Sequence, residues 1–151
     1  MTRNIRKAAL LGLLLPLLAC GKGIGDECET QFDCNDEDNS RTCDISQPGG
    51  YCTVEGCDER SCPSEAVCVR FFPREEFLTT RCPDAICSPQ EVCLGSGWCA
   101  PRASEITRCM KSCGDNGDCR GGYECRATGI ANAMAFSADP AFRVKYCAPH
   151  E

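Results

Sequence analysis

The sequence predicts a small, disulfide-rich fold of short β-hairpins and loops with little helix, built from tandem micro-modules. Three observations predict it: an exceptional cysteine content, an apolar stock too thin for an ordinary core, and cysteine spacings that repeat. The chain holds 17 cysteines in 151 residues. Beyond position 19, Leu, Ile, Val and Phe number 18, under 14% of that stretch. A chain below about 20% in these residues with high net charge is expected to stay unfolded unless it is cross-linked. Ordering each residue costs roughly 1.5 kcal/mol, whereas closing a loop of about 15 residues removes roughly 3 kcal/mol of unfolded-state entropy. Disulfides are therefore expected to supply most of the order.

The first segment is of a different kind. Arg3, Arg6 and Lys7 precede an apolar run from Ala8 to Leu18, interrupted by Gly12 and Pro16. A membrane-spanning helix needs roughly 20 apolar residues, so this shorter run suits an export signal. It ends in Leu17-Leu18-Ala19-Cys20, which resembles the lipobox of bacterial prolipoproteins. Leu18 departs mildly from the usual residue at its place. The resemblance implies a signal peptide over 1–19, cleavage after Ala19, a diacylglyceryl group on the Cys20 sulfur and an N-acyl group on the new amine. Removing Cys20 from the odd cysteine count leaves 16 that can pair. No other cofactor is expected. Gly21, where an inner-membrane retention signal would carry Asp, points by the enterobacterial sorting rule to the outer membrane or cell surface.

Charge narrows the partners. Three of the 16 basic residues lie in the leader, so the remainder carries 13 basic against 22 acidic residues, a net charge of −9. Such a chain is repelled by nucleic acid and by anionic headgroups. Nucleic-acid binding is thus unexpected, and lipid rather than charge must hold the protein to a membrane, which takes two or more acyl chains for stability.

The cysteines recur as C-x4/5-C-x5-C. The clear copies are Cys57-DERS-Cys62-PSEAV-Cys68, Cys82-PDAI-Cys87-SPQEV-Cys93 and Cys113-GDNGD-Cys119-RGGYE-Cys125. A looser one is Cys28, Cys34, Cys43 and Cys52. Trp98 precedes Cys99, Tyr146 precedes Cys147 and Tyr51 precedes Cys52. Together with the glycine pairs Gly49-Gly50 and Gly121-Gly122, this predicts a small hairpin with an aromatic ring on the adjacent disulfide. Cys82 could close the second copy or open the third, and Cys109 is left over to restore an even count. The expected organisation is a linker over 20–27, a first module over 28–56, two modules over 57–108 with an ambiguous boundary near 82, and a fourth over 109–151. The Gly-rich linker of that length predicts an end-to-end distance of about 15 Å. By cysteine and glycine spacing across 28–147, the copies resemble the modules of predicted myxobacterial surface lipoproteins and, more faintly, the Dickkopf and EB-type modules of animal secreted proteins. That resemblance implies an extracellular binding or structural role and supplies no catalytic residues.

Structural zinc sites favour C-x2-C pairs with further Cys or His. This sequence has no C-x2-C, and its one histidine is His150, next to the C-terminus. Disulfides are therefore expected in place of a metal cluster. With no other histidine to serve as base, nucleophilic catalysis has no visible apparatus, and His150 is expected in a frayed tail. No enzyme is expected. Asp33, Asn35, Glu37, Asn39 and Asp44 alternate like calcium-loop ligands, but Asp38 stands where an EF-hand needs Gly. Asp115-Asn116-Gly117-Asp118 is a weaker candidate, and Asx-rich turns are the expectation for both.

Two long inter-cysteine segments remain. Residues 69–81 carry Phe71, Phe72, Phe77 and Leu78; residues 126–146 include an Ala-rich stretch, 127–138, expected to form a short helix before Pro140. The phenylalanines either fill small cores or present a recognition loop clamped by cystines. Three functions follow: a cell-surface lipoprotein presenting an acidic module to another protein or a matrix polysaccharide; a protease inhibitor acting through loop 69–81; and a thiol-based metal-sequestering protein.

Overall fold

Cysteine positions organise every hairpin. The computed structural model describes residues 21–34, 40–72, 80–82, 86–94, 97–129, 135–138 and 143–150. The strands are β1 (Thr42–Cys43), β2 (Cys52–Thr53), β3 (Ala66–Phe71), β4 (Glu91–Cys93), β5 (Cys99–Pro101), β6 (Ile106–Lys111), β7 (Tyr123–Ala127), β8 (Ala135–Ser137) and β9 (Lys145–Pro149). Four antiparallel pairs, β1–β2, β3–β6, β4–β5 and β7–β9, set two cysteines directly opposite each other: Cys43 and Cys52, Cys68 and Cys109, Cys93 and Cys99, Cys125 and Cys147. Directly opposed residues project from the same face of a sheet. Here they bond not to each other but to the two cysteines that precede them.

The resulting connectivity is the same in each unit, first to third and second to fourth. The bridges are Cys28–Cys43 with Cys34–Cys52, Cys57–Cys68 with Cys62–Cys109, Cys82–Cys93 with Cys87–Cys99, and Cys113–Cys125 with Cys119–Cys147. Cα–Cα separations of 5.4–5.9 Å lie where disulfides ordinarily form. This is a small, strand-rich, disulfide-rich fold with little helix, as the composition predicts.

The arrangement is not a simple tandem. Cys109 closes the second unit through the Cys62–Cys109 bridge, across 47 residues of sequence. All four cysteines of the third unit, Cys82, Cys87, Cys93 and Cys99, fall inside that span. The third unit is thus inserted into the second, between its third and fourth cysteines. The boundary expected between 108 and 109 would cut β6 in its middle, and the fourth unit begins at Cys113.

The units also share a core. Ile24 and Tyr51 of the first, Val69, Cys109 and Met110 of the second, and Tyr123, Tyr146 and Cys147 of the fourth form one buried cluster. Half-cystines substitute for the missing aliphatic residues. Tyr51, 1% exposed, is the junction: its hydroxyl accepts from the Lys111 N–H at 2.9 Å and donates to the Cys147 carbonyl at 3.4 Å. Its ring centroid lies 5.5 Å from that of Tyr123. Burial pushes the Tyr51 hydroxyl well above the ordinary tyrosine range, against the Lys111 N–H, which lowers it. The third unit attaches through a smaller cluster of Phe72, Leu94 and Ala100, on which Phe136 packs edge-on to Phe72.

Gly50 allows the close approach of the first hairpin. Its φ is +66°, and a Cβ there would stand 1.9 Å from the Cys28 carbonyl oxygen, so only glycine fits.

Three expectations about local structure are corrected. Ala135–Ser137 is a strand, not helix, because β3 offers it an open edge, pairing Val69 with Ser137 and Phe71 with Ala135. The segment before Cys28 is not a loose linker: Ile24 is 1% exposed in the shared core, and the Gly25 N–H donates to the Cys52 carbonyl at 2.9 Å. Nor is His150 frayed, since its N–H donates to the Gly122 carbonyl at 3.0 Å, extending the β7–β9 pairing.

Candidate functional site

Loop 69–81 begins as structure rather than as a presented surface. Val69, Arg70 and Phe71 lie in β3, in the middle of a three-stranded sheet ordered β6–β3–β8. Phe72 is 1% exposed, and Phe71 is partly buried, packing edge-on to Tyr146 at 6.0 Å. Phe72 is therefore a core residue and Phe71 packs against the core, the first of the two alternatives left open for them. Phe77 lies outside the described residues, as do Leu78 and Cys20. Arg70 makes a two-pronged pair with the Glu105 carboxylate at 2.7 and 2.8 Å, fixing the start of the insertion against β6.

The acidic turns are occupied by their own backbone. The Asp33 carboxylate accepts from the Glu29 and Thr30 N–H groups at 2.7 and 2.9 Å. Asp118 accepts from Gly114 at 2.7 Å, and Asp115 accepts from Gly117 at 2.7 Å, a capping box around a 3-10 turn. Backbone N–H donors hold the Asp118 carboxyl below its ordinary value, and do the same for Asp33. Asp44 accepts from the Ser46 hydroxyl and pairs with Arg108, which also reaches Glu55 at 3.2 Å. These side chains are what hold the turns and the unit boundary together. Asn35, Glu37, Asp38 and Asn39 lie outside the described residues.

A cationic clasp was missed in the sequence. The Arg120 guanidinium lies over the Tyr123 ring at 4.3 Å and the Tyr51 ring at 5.8 Å. Its Nη2 donates to the Pro48 carbonyl at 2.9 Å, to the Gly50 carbonyl, and to the Tyr123 hydroxyl at 2.8 Å. The clasp ties the fourth unit to the turn of the first. The aromatic-before-cysteine signal pointed to Tyr51, but nothing in spacing linked it to Arg120.

The histidine serves a surface pair. His150 Nδ1 is 3.5 Å from the Glu124 carboxylate, which also accepts from Arg126 Nη2 at 2.6 Å. The Arg126 hydrogen bond is the main cause that lowers the Glu124 carboxyl, with the charges of Arg126 and His150 adding to it. In each unit three cysteine sulfurs stand within 4.8 Å of one another. All of these sulfurs belong to disulfides, so the clusters are pairs of adjacent bridges.

The surface carries conspicuous apolar side chains. Phe32 in the first 3-10 turn (Gln31–Cys34) is 84% exposed, Ile45 just after β1 is 75%, and Ile86 in the third unit is 100%. Among the described residues no helix is long and apolar enough to cross a membrane. Comparison with protein-family models, curated proteins and solved structures finds no match.

Proposed function

We propose that the chain is the precursor of an exported, lipid-anchored, cell-surface lipoprotein whose body is a non-enzymatic binding or structural module. The cysteine balance carries this reading. Eight bridges use 16 of the 17 cysteines. The one left over is Cys20, at the end of Leu17-Leu18-Ala19-Cys20, where a diacylglyceryl group would be attached. The cross-linked body suits an oxidising compartment. Its acidic surface favours a cationic protein face or a neutral or basic polysaccharide as partner, and Gly21 after Cys20 favours the outer membrane or cell surface as location.

The competing readings have less support. A protease inhibitor acting through loop 69–81 would lose Phe71 and Phe72 to the core. Metal sequestration by thiols would require reduction of the bridges that order the chain. Metabolic labelling with a palmitate analogue tests the proposal: the wild-type protein takes up label and Cys20→Ser does not. Label retained by Cys20→Ser would overturn it.

A further inference from the structure

We propose that the first cysteine unit sits directly on the bilayer that receives the Cys20 acyl chains, with Phe32 and Ile45 as its lipid-facing side chains. This rests on the lipoprotein reading above and adds an orientation to it. Many anchored domains hang from a flexible leader, but here the body starts almost at the anchor. The Arg41 guanidinium donates to the Lys22 carbonyl at 2.6 Å, and Lys22 Nζ donates to the Glu27 carbonyl at 2.7 Å. The Asp26 carboxylate accepts from the Gly23 N–H at 2.7 Å. Ile24 is buried, and residues 25 and 26 exchange backbone hydrogen bonds with Cys52. Only Gly21 separates Cys20 from Lys22. At about 3.3–3.6 Å per residue, the lipid-bearing Cα can stand no more than about 7 Å from that of Lys22.

The exit point and the exposed apolar residues belong to the same unit. Lys22 Nζ donates to the Glu27 carbonyl, and two residues on the Glu29 N–H donates to the Asp33 carboxylate in the turn that bears Phe32, so Lys22 lies close to that turn. The bridges Cys28–Cys43 and Cys34–Cys52 lock that turn to β1 and β2, and Ile45 follows Cys43 by two residues. A large apolar side chain left 84% exposed this close to the anchor is suited to the headgroup–acyl boundary. Glu29 and Asp33 lie at the same turn, so the surface fits a zwitterionic bilayer and not an anionic one. Ile86, fully exposed on the third unit, has no such link to the anchor and serves as the internal control.

The test uses the lipidated protein in phosphatidylcholine vesicles with brominated acyl chains. The single native tryptophan is replaced by Trp98→Phe, and Phe32→Trp, Ile45→Trp or Ile86→Trp is added in turn. Intact mass of each variant verifies the lipid on Cys20 and eight bridges. Positions 32 and 45 are expected to lose most of their emission and shift to the blue, while position 86 keeps its emission. Equal quenching at all three positions, or none at 32 and 45, on protein whose mass includes the lipid would overturn the seating and leave the anchor standing. A mass without lipid would overturn both.

Discussion

Replacing Tyr51 with phenylalanine removes one oxygen atom from the place where the first, second and fourth units meet. The ring stays, so packing on Tyr123 and burial of apolar area are kept. What is lost is the acceptor for the Lys111 N–H at 2.9 Å and the donor to the Cys147 carbonyl at 3.4 Å. An N–H left without a partner beside a buried residue costs about 1–3 kcal/mol. For a domain of this size that is a fall in thermal midpoint of about 3–10 °C. Calorimetry under non-reducing conditions measures it, and the transition should remain single because the three units share one core. The same hydroxyl gives a pH signature. Its folded pKa lies above the unfolded value, so its contribution is fully present below about pH 10 and is lost as pH rises through the unfolded value toward the folded one. The alkaline fall in stability should therefore be smaller in Tyr51→Phe than in wild type. An unchanged midpoint, or two separate transitions in wild type, would refute the shared junction.

Further expectations follow from the same contacts. Gly50→Ala should sharply reduce the yield of the native disulfide isomer, because its Cβ has no room beside the Cys28 carbonyl; non-reducing chromatography after oxidative refolding checks this. Asp118 has a lowered folded pKa, so its capping is present above the usual aspartate value and is lost as pH falls below about 4. Amide exchange at Gly114 and Asp115 should accelerate over that acid range in wild type and be fast at neutral pH in Asp118→Ala. Phe72→Ala should destabilise the oxidised protein by about 3–5 kcal/mol as a core substitution, measured by denaturant titration; a neutral effect would restore it as a recognition residue. Full reduction should abolish the thermal transition, since the apolar stock is too small to hold the fold alone.

Much of the fold was legible because cysteine spacing is local information. The third and fourth cysteines of each unit face each other across an antiparallel strand pair, so the C-x5-C patterns, and in three units the Tyr or Trp before the last cysteine, read directly as structure. The nested third unit was not legible. Spacing within Cys82–Cys99 is the same whether the unit follows the second or interrupts it, and only the pairing of Cys62 with Cys109 distinguishes the two. The shared core was hidden for a related reason. Its apolar residues are scattered singly, as with Ile24 among glycines and acids, and their common burial depends on half-cystines brought in from distant positions. Ala135–Ser137 read as helix from its alanines but is held as a strand by the free edge of β3, a tertiary pairing that propensity does not contain. The role of Phe71 and Phe72 stayed open because loop 69–81 is bounded only by its cysteines, whereas β3 continues three residues past Cys68, as far as Phe71.

Peptide mapping of the protein purified from membranes, digested without reduction, tests the central claim most directly. The account predicts a cross-linked fragment joining Cys62 to Cys109, separate pairs Cys82–Cys93 and Cys87–Cys99, and Cys20 carried on a diacylated N-terminal peptide. A bridge from Cys62 to Cys82, from Cys109 to Cys113, or from Cys20 to any other cysteine would contradict it.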